Sequence, residues 1–458
     1  MTLDAVLSRI DDALPESCDR LMELLRIPSI STDPAYDGDC AQAAAWLVQE
    51  LKALGFSAST RPTPGHPMVV GRHAGEGRHI LFYGHYDVQP VDPLELWDRD
   101  PFDPVQENGP NGPVIRARGA ADDKGQLMTF LEACRAWKDV HGVLPGNLTI
   151  FFEGEEESGS PSLIPFLREN KDELSADLAL ICDTGLFADQ TPAIVTMLRG
   201  LAKVEFTIQG ATKDLHSGMF GGVAMNPIRV LTRILGGLHD ENGRVQVPGF
   251  YDDVAELPET VAAQWQGLGF DHAAFLGGVG LSTPAGEADR TPLEQIWSRP
   301  TAEINGIWGG YTGAGFKTVL PAQASAKVSF RLVSGQDPAK ILPAFKAWIE
   351  AQLPPDCALI WKEPEGSPAS VMEITDPAFD AARAALSEEW DRPAAFVGCG
   401  GSIPVAGYFK EFLGMDAMLI GFGRDDDQIH SPNEKYDLES FHKGIRSWAR
   451  VLDRIAQQ

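Results

Sequence analysis

The sequence predicts an α/β domain interrupted by a smaller α+β domain. Three observations predict it: alternating strand and helix signals, a change of pattern near residue 197, and a return to the first pattern near residue 370. Short apolar runs such as Ile80-Leu81-Phe82-Tyr83, Leu148-Thr149-Ile150-Phe151-Phe152 and Leu178-Ala179-Leu180-Ile181 have the length and continuous hydrophobicity of strands buried on both faces. Helical stretches lie between them. That order favours a mixed, largely parallel sheet covered by helices on both faces. At 458 residues the chain also exceeds what one compact core usually holds.

In chain order, residues 3–26 carry helical spacing up to Pro28, which disfavours helix in the residue before it. Residues 40–54 form a helix closed by Gly55. Strands follow at 68–73 and 79–83, then a loop-like stretch at 91–117 and a helix near 125–140. Residues 147–152 and 178–182 are strands. From 197 the signals change: a half-buried strand at 201–210, a glycine-rich loop around His216, a helix at 226–238, an irregular region at 240–300, a strand at 324–334 and a helix at 338–352. The first pattern then resumes with a helix at 377–390, strands at 394–398 and 416–422, and a last helix at 437–456. The expected boundaries are 1–196 and 369–458 for the α/β domain and 197–368 for the α+β insert.

A net charge of −27 argues against a nucleic-acid partner, because phosphate would be repelled. No apolar run approaches the ~18–20 residues that span a bilayer, so no membrane association is expected. The first residues are acidic and amphipathic, unlike a signal peptide. The six cysteines are scattered without a Cys-x-x-Cys pair and read as reduced thiols. A cytoplasmic protein is expected.

His85, Glu156, Glu157 and Asp183 each follow a predicted strand, and sites in α/β sheets form beyond the strands' carboxyl ends. His85 and Asp87 stand one residue apart in an extended segment, so both point to one side. With Asp122, Asp123, the acids 155–157 and His430, they offer two imidazoles, many carboxylates and no thiol. That donor set suits a borderline dication, Zn²⁺ or Mn²⁺. It exceeds one tetrahedral ion and fits two ions ~3.5–4 Å apart with a bridging carboxylate. Of the adjacent Glu156 and Glu157, one would ligate and the other act as base. Read residue by residue, alternatives stay open: a solvated acidic turn for 155–157, a helix cap for Asp122-Asp123, surface loops for His216 and His430.

Taken together and in order, His85-Tyr86-Asp87, Arg118-Gly-Ala-Ala-Asp122-Asp-Lys-Gly125, Glu155-Glu156-Glu157-Ser-Gly-Ser160, Asp183 and His430-Ser-Pro-Asn-Glu434 resemble the motifs of the M20 co-catalytic metallopeptidases. Gly84-His-Tyr-Asp-Val-Gln-Pro90, Asp214-Leu-His-Ser-Gly218 and Gly400-Gly-Ser-Ile-Pro404 look most like the cytosolic non-specific dipeptidase and carnosinase branch. The resemblance implies two divalent ions per subunit, zinc before manganese. His85 and Asp183 would hold one and Glu157 and His430 the other, with Asp122 bridging and Asp87 orienting His85. Glu156 would be the general base on water. His216 of the insert would reach the partner subunit's site in a homodimer and steady the oxyanion. Arg331 would clamp the substrate carboxylate, with Thr318 and Ser402 as further substrate contacts. A cis peptide between Asp122 and Asp123 is also implied, and Asp183 leans the substrate toward dipeptides with a free amine. The expected activity is hydrolysis of dipeptides with a free C-terminal carboxylate, with the insert closing as a lid. Its rivals are an N-acyl-amino-acid deacylase or carboxypeptidase on the same site, and a metal-poor relative that binds peptides without cutting them.

Overall fold

The computed structural model describes residues 2–188 and 190–456. The chain divides into two compact units, the first made of 1–196, 372–397 and 408–458 and the second of 197–371 and 398–407.

The first unit is built on a mixed sheet. Its strands run in the order Ser57–Arg61, Met68–His73, Asn147–Glu153, His79–His85, Leu178–Ile181, Ala417–Ile420 and Ala193–Leu198. The four from Asn147–Glu153 to Ala417–Ile420 are parallel, and pairing turns antiparallel at both margins. The parallel strands are buried on both faces, as their unbroken apolar runs require. Helices Asp37–Leu54, Lys124–His141, Pro377–Trp390 and Leu438–Ile455 flank the sheet. Strand and helices meet in an aromatic cluster. Phe82 stacks on Phe130 at 3.9 Å between ring centres, and Trp448 meets the two rings edge-on at 5.6 and 5.5 Å.

Two local readings change. Residues 3–26 are two helices, Leu3–Asp12 and Leu14–Leu25, because Pro15 suits a first helical turn and not a helix interior. The 91–117 stretch contains a hairpin, Val105–Gly109 with Gly112–Arg116, whose second strand pairs with Lys435–Asp437. Its strands are short and half polar, so the sequence carries little strand signal there.

The second unit carries an antiparallel sheet ordered Thr301–Gly309, Gln323–Leu332, Gly200–Gln209 and Ala358–Trp361. Gly200–Gln209 alternates between buried and partly exposed residues, the pattern of a strand with one covered face. Helices Pro227–Gly236 and Pro338–Glu350 pack Leu231, Ile234 and Phe345 against Phe206 and Phe330. The irregular 240–300 stretch contributes short helices, Glu259–Gln266, His272–Gly277 and Pro292–Trp297. Among the described residues no helix is long and apolar enough to cross a membrane.

Candidate metal centre

Three neighbouring parallel strands deliver the centre at their carboxyl ends. His79–His85 ends on His85, Asn147–Glu153 leads into the turn holding Glu156 and Glu157, and Leu178–Ile181 leads to Asp183. Asp122 precedes helix Lys124–His141, and His430 comes from the loop before Lys435–Asp437. His85, Asp122 and Asp183 form one group whose ligand atoms lie within 4.8 Å of one another, and Asp122, Glu157 and His430 form a second. Asp122 belongs to both. Its Oδ1 lies 3.1 Å from His85 Nε2, and its Oδ2 lies 2.9 Å from His430 Nε2. Asp183 Oδ1 is 4.0 Å from His85 Nε2, and Glu157 Oε2 is 3.3 Å from His430 Nε2. His85 is fully buried, whereas the His430 side chain is 53% exposed, so the centre opens to solvent on the His430 side.

The electrostatics follow from crowding carboxylates in a buried place. Burial would lift the Asp122 carboxyl, but hydrogen bonds from His430 and His85 hold it well below the usual carboxylate range. Asp122 and Glu157 in turn push His430 up to about 10. Burial opposes charge on His85, yet Asp122 and Asp87 raise its imidazole well above the usual value. Burial lifts Asp183 well above a normal aspartate and Glu156 to about 7. Two imidazoles and three carboxylates, one of them shared, fit two borderline dications, whose charge offsets this crowding.

Around the candidate ligands, other groups fix the backbone. Asp87 accepts the amides of Glu156 at 3.3 Å and Glu157 at 3.0 Å. Its carboxylate lies 3.4 Å from His85 Nδ1, farther than its own carbonyl oxygen at 3.1 Å. Asp87 therefore braces the acid turn as well as the histidine for which the sequence suggested it. Glu155 turns away, accepting the amides of His66 and Ser162, both at 3.1 Å, which leaves Glu156 and Glu157 for the centre. The Asp122–Asp123 peptide is cis, and Asp123 Oδ2 accepts the His85 amide at 3.1 Å. Sequence reasoning missed Glu434. This buried carboxylate accepts from Arg118 Nη1 at 2.7 Å and from the amides of Gly119, Ala121 and Asp122 at 2.9, 2.9 and 3.1 Å. Its only sequence signal is its place at the end of the His430 motif.

The remaining candidates belong to the second unit, where the structure brings them together in pairs. Arg331 Nη1 donates to Ser402 Oγ at 3.0 Å, and that hydroxyl donates to Arg199 O at 2.5 Å. His216 pairs with Val319 in a two-residue ladder, and the Ser217 amide donates to Thr318 O at 3.0 Å. His216 and Thr318 are both exposed.

Two ligand groups sharing a carboxylate, at the carboxyl ends of parallel strands, define a metal-dependent hydrolase of the co-catalytic class. A sequence model of peptidase family M20/M25/M40 matches residues 81–454, and the chain belongs to that family. It is 31% identical to the Cys-Gly metallodipeptidase dug1 of Schizosaccharomyces pombe, covering 100% of this chain and 99% of that protein. The solved structure of the dipeptidase Dug1p from Saccharomyces cerevisiae is similar at TM-score 0.82 and 29% identity, over 100% of this chain and 99% of that one. The M20 family metallo-carboxypeptidase Sso-CP2 from Sulfolobus solfataricus is similar at TM-score 0.83 and 30% identity, over 97% and 100%.

Proposed function

We propose that the protein is a metal-dependent dipeptidase that hydrolyses short peptides with a free C-terminal carboxylate. The observation that carries this reading is the pair of ligand groups sharing Asp122, with Glu156 lifted to about 7 in the same centre. In this reading His85 and Asp183 hold one ion, Glu157 and His430 the other, and Asp122 both, with zinc preferred to manganese. Bound there, the ions supply Lewis-acid polarisation of the scissile carbonyl and lower the pKa of water. Glu156 takes the proton of the attacking water on its carboxylate and passes it to the leaving amine. Asp87, through the two amides it holds, keeps Glu156 and Glu157 in place. Arg331 receives the substrate carboxylate through its guanidinium fork, steadied by Ser402. Thr318 adds a substrate contact.

His216 acts on the developing oxyanion in the partner subunit's site. Supporting a homodimer, Thr301–Gly309 is an edge strand with Ile304, Ile307 and Trp308 exposed, and Phe316 is fully exposed nearby in sequence. All six cysteines are thiols, which fits a reducing compartment, and we place the protein in the cytoplasm.

The name of the Schizosaccharomyces pombe relative makes Cys-Gly the first dipeptide to assay. The similarity to a metallo-carboxypeptidase favours a second reading, release of a C-terminal residue from longer or acylated substrates. A panel of free dipeptides beside N-acyl amino acids separates the two. Glu156→Gln tests the base: it should lower kcat about 10²–10⁴-fold while both ions stay bound. A variant that keeps most of its activity removes Glu156 from that role.

A further inference from the structure

The second unit holds another guanidinium beside the proposed clamp. Arg199 and Arg331 line one cavity of about 700 Å³, together with His239, Gln295 and Thr301. Among the described residues neither arginine is in an ion pair. Arg199 Nε donates to Gly400 O at 3.0 Å, and its Nη1 donates to Gln295 O at 3.3 Å and Arg299 O at 3.5 Å. Three bonds to carbonyls fix the fork but do not neutralise it, and Nη2 keeps its N–H groups. Ser402 joins the two arginines, accepting from Arg331 and donating to the Arg199 carbonyl.

None of the cavity's acids is ion-paired with either arginine among the described residues, and the negative charge of Glu303 acts on Arg199 without bonding it. Arg299 is held by Glu287 at 2.8 and 2.9 Å, and Glu287 also takes Arg244 at 2.8 Å. Asp240 accepts the amides of Asn242 and Arg244. Glu241 and Glu303 are exposed, whereas Arg199 and Arg331 are half-buried. Burial, with the charge of Arg331 added, pulls Arg199 down to about 10, so it is still a cation at neutral pH. Two half-buried cations facing one cavity repel each other until an anion lies between them.

We propose that Arg199 forms a second anion subsite next to Arg331, selecting substrates whose C-terminal residue carries a side-chain carboxylate: a C-terminal aspartate or glutamate. This rests on the reading of Arg331 as the clamp for the main-chain carboxylate. One arginine suffices for a C-terminal glycine or leucine, which leaves Arg199 bonded to carbonyls and to no carboxylate. A second carboxylate on the C-terminal side chain would give Arg199 the bonded anion it lacks, and its Nη2 makes no hydrogen bond among the described residues.

The test compares isosteric pairs that differ only in charge. On the metal-loaded enzyme, kcat/KM is measured for Ala-Glu against Ala-Gln and Ala-Asp against Ala-Asn, with N-acetyl-glutamate against N-acetyl-glutamine beside them. Binding of free glutamate and glutamine is followed by calorimetry. The acidic member should win by about tenfold or more, the size of a charge-assisted hydrogen bond. Arg199→Gln should collapse that ratio and Arg199→Lys should keep part of it. The ratio is insensitive to a misfolded fraction, which lowers both rates alike. Cleavage of Ala-Gln as fast as Ala-Glu, or a ratio unchanged in Arg199→Gln, overturns the subsite while leaving the dipeptidase reading intact. Turnover of acetylated substrates alone overturns the dipeptide reading, and the acetylated pair then decides the subsite. If nothing is cleaved, equal binding of glutamate and glutamine overturns it.

Discussion

Glu434 meets four donors from the segment that carries Asp122, so one buried carboxylate sets where the Asp122 backbone lies. Removing it leaves Arg118 and three amides without their acceptor. Glu434→Gln should weaken metal binding by about 10–100-fold, as loss of an outer hydrogen-bond partner commonly does, with dipeptidase activity restored at high metal concentration. Competition with a chelator measures this; unchanged affinity would mean that the 118–122 loop holds its shape unaided. The histidines give a pH dependence of known sign. Asp122 and Glu157 push His430 up to about 10, so at neutral pH an incoming dication would displace its proton. Metal affinity should therefore rise with pH through the neutral range, with proton release seen by calorimetry in buffers of different protonation enthalpy. pH-independent uptake would contradict the assignment of His430 as a ligand. At this scale the sequence was informative where chemistry limits the choice of residue, as at His85, Asp122 and Glu157. It gave no role for Glu434 beyond a place in the His430 motif, and none for the way Glu155 is drawn off by His66 and Ser162, because these depend on contacts between distant segments.

The loop around His430 is the element that most needs support. Gln428, His430 and Asn433 all adopt positive φ, at 56°, 60° and 65°, a region unfavourable for residues with a side chain. Asn433 secures the loop by accepting the Asp98 amide at 2.8 Å and donating to Leu96 O at 3.1 Å. Lys435 Nζ lies among Asp426, Asp427 and Asp437 at 2.7, 2.8 and 2.5 Å. With Arg424 Nη1 3.1 Å from Asp437 as well, cationic side chains occupy the space between the three acids and tie the loop to the strand Lys435–Asp437. Asn433→Ala should loosen the ion held through His430 more than the one held through His85, giving one tight and one weakened site on titration. Equal weakening of both would count against the loop's role. Within the sheet, Trp448→Ala removes the ring that closes on Phe82 and Phe130 and should cost about 3–5 kcal/mol in urea unfolding of the first unit. The parallel strands were legible because burial on both faces forces unbroken apolar runs. The hairpin that supports the His430 loop was not, since short polar strands look like turn-rich loop.

For the whole molecule, the proposed homodimer makes a prediction that no isolated subunit can satisfy. His216→Ala and Glu156→Gln should each be nearly inactive alone. Mixed after subunit exchange, they should regain activity, because the site with an intact Glu156 then receives an intact His216 from the other subunit. Failure to regain activity in verified mixed dimers would place His216 outside the reaction. The two-ion centre itself is probed by metal content measured together with hydrolysis of a small dipeptide panel, before and after chelation. A co-catalytic dipeptidase should carry about two divalent ions per chain, cleave free dipeptides, lose both on chelation and regain both with added metal. Metal-independent cleavage, or a protein that binds one ion and cleaves at full rate, would contradict it.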